Sequence, residues 1–171
     1  VGTVIAAPAN VSPDERARWV RWTLPLPKQI QIPRKVVLSP DDVGVYLQRG
    51  AGPAARTAAD QLRTLFTERA GVEADGSEFG IVLGVCNEEG MVGGREVIDP
   101  ARLERLPNSG QAYAIVPRDD QLILTALDDA GIYYAAQTLR QLLEATLTED
   151  AVEIPLAEVL DWPDLEERGE W

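Results

Sequence analysis

The chain has 171 residues, enough to bury a sizeable single core, and it carries 16 basic against 28 acidic side chains for a net charge of −12. Such an acidic balance disfavours the phosphate backbone of nucleic acids and the anionic surface of a membrane as partners. Histidine is absent and Cys86 is the single cysteine, which removes the commonest general base, the commonest metal ligand and any internal disulfide framework.

The first residue is Val1 rather than Met, so a processed chain or a segment of a longer one is expected. No signal peptide is visible, and no apolar run approaches the roughly 18 to 20 residues of a membrane span. Residues 1–18 are mixed, with a turn signal at "NVSPDE"; Asn10-Val11-Ser12 is formally a glycosylation sequon, weakened by Pro13. "WVRWTLPLPKQIQIPRKVVLS" alternates Trp22, Leu24, Leu26 and then Ile30, Ile32. That pattern predicts an extended segment, and its prolines suit a sheet edge.

"PAARTAADQLRTLFTERAG" predicts a helix with its small and apolar residues at 55, 58, 59, 62, 65 and 66 and Gly71 as C-cap. "FGIVLGV" (79–85) is a continuous apolar strand, buried on both faces or nearly so. A long loop follows, flexible around "GMVGGRE", with one helical turn near Arg102. "QAYAIVPRDDQLILTAL" predicts a hairpin around Arg118-Asp119-Asp120. The clearest helix spans 128–145: Ile132, Ala135, Ala136, Leu139, Leu142 and Leu143 form one stripe, and Asp128–Asp129 stand at its N-terminus. "VEIPLAEVL" closes the order as a last strand. The expectation is an α+β fold, a mixed sheet with two main helices packed on it.

Candidate chemistry is thin. Acid doublets occur at Asp41–Asp42, Glu88–Glu89, Asp119–Asp120, Asp128–Asp129 and Glu166–Glu167, but adjacent strand residues point to opposite faces, so solvated turns and helix caps account for them. The glycines of "GMVGGRE" lack the Gly-Lys-Ser/Thr ending of a phosphate loop and the spacing of a dinucleotide site. Ser77, Ser109 and Cys86 have no imidazole to activate them. With no histidine and one cysteine, only hard oxygen ligands remain for a metal, and no zinc site or other cofactor is expected. No active site can be assembled from these residues.

Two segments carry a resemblance. Asp128, Gly131, Tyr134 and the run Gln137-Thr138-Leu139-Arg140-Gln141-Leu142, then Ile154-Pro155, Asp161-x-Pro163 and Arg168-Gly169, resemble the region preceding the catalytic barrel in β-N-acetylhexosaminidases of glycoside hydrolase family 20. "LPLPKQI" is similar to the opening of that accessory domain. The resemblance implies a non-catalytic N-terminal accessory domain, zincin-like in fold without the zinc motif, since "IYYAAQ" stands where His-Glu-x-x-His would be needed. It also implies that residues 1–160 form this domain and 161–171 a linker and the truncated first strand of a catalytic (β/α)8 barrel.

Several sites and partners follow from the same resemblance. Arg168 would reach hydroxyls of the substrate sugar in the full-length parent, a role suited to a rigid bidentate donor at a barrel strand's end; otherwise it is a surface arginine pairing weakly with Glu166 or Glu167. The barrel of the same polypeptide is the expected partner, with a glycan met only through the parent, no nucleic acid and no membrane; a secreted or periplasmic location is implied. Departures stand beside these matches: Asp164-Leu165 replaces the usual Arg-Phe, and Glu167 the usual aromatic before Arg-Gly. Family 84 O-GlcNAcase-like enzymes and α-glucuronidases carry similar accessory domains and remain alternative parents. An independent carbohydrate-binding or protein-interaction module is the rival reading. Trp19, Trp22, Trp162 and Trp171 gather towards the two ends, which suits a docking face better than a central sugar platform.

Overall fold

The computed structural model describes residues 7–165; Arg168 and the Glu166–Glu167 doublet lie outside the described residues. In chain order the elements begin with β1 (Ala9–Asn10), α1 (Pro13–Arg21), β2 (Gln29–Gln31), β3 (Arg34–Leu38), β4 (Val43–Leu47) and α2 (Pro53–Ala70). They continue with β5 (Phe79–Val85), β6 (Met91–Val92), β7 (Arg95–Glu96), α3 (Pro100–Glu104), β8 (Tyr113–Arg118) and β9 (Gln121–Ala126). The last are α4 (Asp129–Glu144), β10 (Val152–Pro155) and β11 (Glu158–Asp161).

Among the described residues, six strands form a mixed sheet in the order β2-β11-β8-β9-β5-β4. β4, β5 and β9 run parallel, as the crossover helix α2 between β4 and β5 requires, while β9-β8-β11-β2 are antiparallel. A second sheet, β1-β3-β10, stands beside it. Helices α2 and α4 pack on each other, and α4 also covers β8, β9 and β10. The fold is α+β.

Both long helices follow their apolar spacing. α2 buries Ala55, Ala58, Ala59, Leu62, Leu65 and Phe66 and stops at Gly71, whose φ of 70° is the left-handed cap that glycine adopts without strain. α4 buries Ile132, Ala135, Ala136, Leu139, Leu142 and Leu143, none more than 1 % exposed. These faces meet Val45, Ile81, Leu83, Ile115, Leu122 and Leu124 in the main core. The opposite sheet face is covered by the 86–111 excursion, where Leu103 and Ile98 pack on Ala114, Ile123 and Leu160.

Four expectations are corrected. Residues 13–21 form α1, where a turn in a mixed stretch and, from Trp19, the start of the extended segment are expected, because Ser12 and Glu15 make a reciprocal capping box, with Pro13 in the first turn. Trp22, Leu24 and Leu26 are therefore not strand residues; prolines 25 and 27 offer no N–H, and pairing starts only at Gln29. β2 does lie at the sheet edge. Second, β4 occupies a stretch where no element is predicted. Third, "GMVGGRE" is a hairpin, β6 against β7, because Gly93 and Gly94 (φ 58° and 81°) supply the two positive-φ positions of a tight turn. Fourth, "VEIPLAEVL" is two strands. β10 pairs with β3, the chain crosses over at buried Leu156 and Ala157, and β11 enters the large sheet between β2 and β8.

Candidate docking site

Several polar groups with long-range partners converge where β11 ends. Asp161 is 7 % exposed, and its carboxylate accepts from the Lys28 N–H (3.0 Å) and from the Tyr113 hydroxyl (3.2 Å). The Tyr113 oxygen also lies 2.5 Å from Thr138 Oγ1 in α4. One buried carboxylate thus ties β11, β8, α4 and the segment before β2 together, and hydrogen bonding meets its burial cost.

The next residues are held too. Lys28 Nζ lies 5.6 Å from the centre of the half-buried Trp162 ring and 2.8 Å from Asp164 Oδ1. Asn108 Nδ2 donates to the Pro163 carbonyl at 2.8 Å. Asp161, with which the expected linker begins, is therefore the last residue of a sheet strand, and 161–164 are integrated into the domain.

Gln141 on α4 secures the neighbouring segment through both ends of its amide. The Leu24 N–H donates to its Oε1 (2.7 Å), and its Nε2 donates to the Leu24 carbonyl (2.8 Å). The fixed backbone leaves Leu24 and Leu26 pointing outward, 73 % and 51 % exposed, while Leu165 is 73 % exposed. Leu26 precedes and Leu165 follows the two partners of the Lys28–Asp164 contact. A clasped backbone presenting exposed leucines has the makings of a docking face.

The other candidates are dispersed. Asp41–Asp42 belongs to a 3-10 turn, Glu88–Glu89 is exposed in a turn, and Asp119–Asp120 is the β8–β9 turn, paired with Arg34 (2.9 Å) and loosely with Arg95 (3.9 Å). Asp128 caps its own helix by accepting from the Asp129 N–H. Asp129 reaches instead to α2, whose N-cap is Gly52: its carboxylate accepts from the Ala54 N–H (2.7 Å) and the Ala55 N–H (3.1 Å). Ser77 is exposed and Ser109 half-buried. Cys86 is buried, and that desolvation pushes its thiol pKa up, the direction opposite to an activated nucleophile. Among the described residues no cluster of three or more His, Cys, Asp or Glu is placed to hold a metal. No helix among them is long and apolar enough to cross a membrane.

Sequence reasoning missed Lys28, Asn108, Tyr113 and Thr138 as members of the clasp. The one local signal was Asp161-x-Pro163; the partners lie far away in the chain and become visible only once the sheet order is known.

Comparison with known proteins locates this arrangement. The family model described as "Glycosyl hydrolase family 20, domain 2" matches residues 22–162, from the end of α1 to the clasp. No curated protein sequence matches. Among solved structures, an inactive mutant of a family 20 exo-β-N-acetylglucosaminidase from Vibrio harveyi is similar over 91 % of this chain and 21 % of its own, at 18 % identity and a TM-score of 0.56. The family 20 β-N-acetylhexosaminidase of Streptomyces coelicolor A3(2) is similar over 85 % of this chain and 27 % of its own, at 18 % identity and a TM-score of 0.59. A Flavobacterium johnsoniae chitobiase aligns over 84 % of this chain and 21 % of its own, at 15 % identity and a TM-score of 0.56. The chain thus spans only 21–27 % of these solved relatives, and at such identities the likeness is one of fold. The family match over 22–162 is what decides the assignment, and by it the chain belongs to glycosyl hydrolase family 20, as domain 2 of that family.

Proposed function

We propose that the chain is a non-catalytic domain of a glycoside hydrolase, docked against a catalytic (β/α)8 barrel of the same polypeptide that acts on N-acetylhexosaminide-type glycans. The observation that carries the docking role is the clasp. It fixes the backbone on both sides of the Lys28–Asp164 contact while Leu24, Leu26 and Leu165 stay exposed. An apolar face on rigid backbone offers a partner domain burial without an ordering cost. The substrate class rests on the relatives, which include a β-N-acetylhexosaminidase and an exo-β-N-acetylglucosaminidase. The match to family 20 favours it over a family 84 or α-glucuronidase parent. In the same reading, 166–171 continue into the barrel, and Arg168 contributes hydrogen bonds to sugar hydroxyls there.

Two measurements test this. The 171-residue chain alone is expected to leave an aryl N-acetylglucosaminide uncleaved; turnover that survives repurification and is lost on replacing one of its carboxylates overturns the non-catalytic reading. In the full-length enzyme, Leu24→Asp with Leu26→Asp is expected to lower Tm and to loosen the domain against proteolysis. An unchanged Tm and digestion pattern overturns docking through this face.

A further inference from the structure

A groove between α1, the turn after α4 and β10 carries chemistry that the clasp does not use. Its volume is about 320 Å3, and Glu15, Arg18, Trp19, Trp22, Thr146 and Glu153 are among its lining residues. That size falls within the roughly 300–1,000 Å3 of small-molecule sites.

Two tryptophans define it. Trp22 caps α1 and is 67 % exposed, so a large aromatic surface stands open beside polar groups. Trp19, one turn earlier, is 4 % exposed, and its indole N–H is buried without an acceptor among the described residues. The buried Trp19 ring therefore closes a wall of the groove, and Trp22 is the aromatic surface open to a ligand.

The charges select the ligand's class. Lys35 Nζ bridges Glu15 (2.5 Å) and Glu153 (3.0 Å), while Arg18 forms no ion pair among the described residues. Two carboxylates, one ammonium and one guanidinium sum to zero. A cation would meet Arg18, and an anion would meet both glutamates. A neutral ligand rich in hydroxyls can use all of them. Thr146 donates its hydroxyl proton to the Glu153 carbonyl, which leaves its oxygen lone pairs as further acceptors.

We propose that this groove binds a neutral pyranose ring of a saccharide, its C–H face against Trp22 and its hydroxyls towards Arg18, Glu153 and Thr146. The inference stands apart from the docking reading, because the groove shares no residue with Leu24, Leu26 or Leu165.

The test is a titration of the isotope-labelled chain with cellobiose and with diacetylchitobiose, read on the indole N–H signals. Spermidine and citrate serve as charged comparators. Saturable shifts of the Trp19 and Trp22 signals with a neutral disaccharide are expected, with the Trp162 signal unmoved. Trp22→Ala, at an exposed position that leaves folding intact, should weaken binding about tenfold. Arg18→Gln should also weaken it. Absence of saturable shifts with both disaccharides, unchanged affinity in Trp22→Ala, or preferential binding of either charged comparator overturns the proposal. Failure here leaves docking through Leu24 and Leu26 untouched, and the reverse also holds.

Discussion

The N-terminus of α2 is capped from another helix, and that arrangement makes a double substitution informative. Gly52 is the N-cap and has no side chain to offer; the Asp129 carboxylate bonds the Ala54 and Ala55 N–H groups at 2.7 and 3.1 Å instead. Loss of an ordinary N-cap costs about 1 kcal/mol, and hydrogen bonds to a charged acceptor contribute about 1.5–3 kcal/mol. Two such bonds share one desolvation cost, so Asp129→Ala should destabilise by about 2–3 kcal/mol. In urea, with a slope of roughly 1–3 kcal/mol per molar, the midpoint falls by about 1 M. Gly52→Ser alone should also destabilise, because a Cβ there would stand 2.7 Å from the Asp129 carboxylate carbon and one of its oxygens. The Gly52 backbone is extended (φ −74°, ψ 177°), which any residue tolerates and which suits a serine cap. Combined with Asp129→Ala the clash vanishes, and the introduced hydroxyl is free to cap α2. The double variant should therefore be more stable than the sum of the single costs by well over the roughly 0.3–0.5 kcal/mol seen for independent sites. Additive costs would refute the view that one carboxylate both caps α2 and excludes a side chain at Gly52.

Other outcomes follow from the core and the α1 end. Leu139→Ala, fully buried at the centre of the α4 stripe, should cost about 2–5 kcal/mol by equilibrium denaturation. Gly131→Ala should cost about 3 kcal/mol, since its Cβ would come within 2.4 Å of the Ala112 carbonyl oxygen and 2.5 Å of Ala126 Cβ. Hydrogen bonding from Lys35, first, and from the Ser12 backbone holds the Glu15 pKa down from 4.5 to about 2. A lowered folded-state pKa means that Glu15 stabilises above about pH 4.5 and that this contribution is lost as pH falls through about 2. The stability difference between wild type and Glu15→Gln, followed by thermal melts, should shrink across that window.

What the sequence disclosed was whatever local periodicity governs. The stripes of α2 and α4 match residue by residue, because 3.6-residue spacing fixes which side chains share a face whatever they pack against. The β8–β9 hairpin was legible for a similar reason, two alternating runs around a short polar turn. Errors arose where a local signal was weighed against the wrong alternative. Ser12-Pro13-Asp14-Glu15 reads equally as a turn, and only the reciprocal Ser12–Glu15 bonds show the helix start. "VEIPLAEVL" is one apolar run in sequence, yet β3 and β8 claim its halves for different sheets. Asp128 and Asp129 look alike as helix-start acids, but the second serves a helix 75 residues away. No local pattern distinguishes them.

The same limit applies to the tail, where sequence reasoning leads one to expect little effect of 161–171 on folding. For 161–164 the structure argues otherwise. Asp161 is a buried carboxylate whose two donors, the Lys28 N–H and the Tyr113 hydroxyl, come from different elements. Removing it takes the acceptor from the Lys28 N–H and one contact from the Tyr113 hydroxyl, which keeps Thr138, so the cost includes lost pairing as well as the bonds themselves. Asp161→Ala should lower stability by about 2–3 kcal/mol, and Asp161→Asn by less, since one carbonyl oxygen remains to accept. Tyr113→Phe and Asp161→Ala should together cost less than the sum of their single costs, because both remove the same Tyr113–Asp161 bond. A truncation after Leu165 keeps every one of these contacts and should fold with an unchanged urea midpoint, whereas one after Leu160 should not. If Asp161→Ala and truncation after Leu160 both leave that midpoint where it was, the clasp does not hold the domain together, and the docking face built on it has no rigid base.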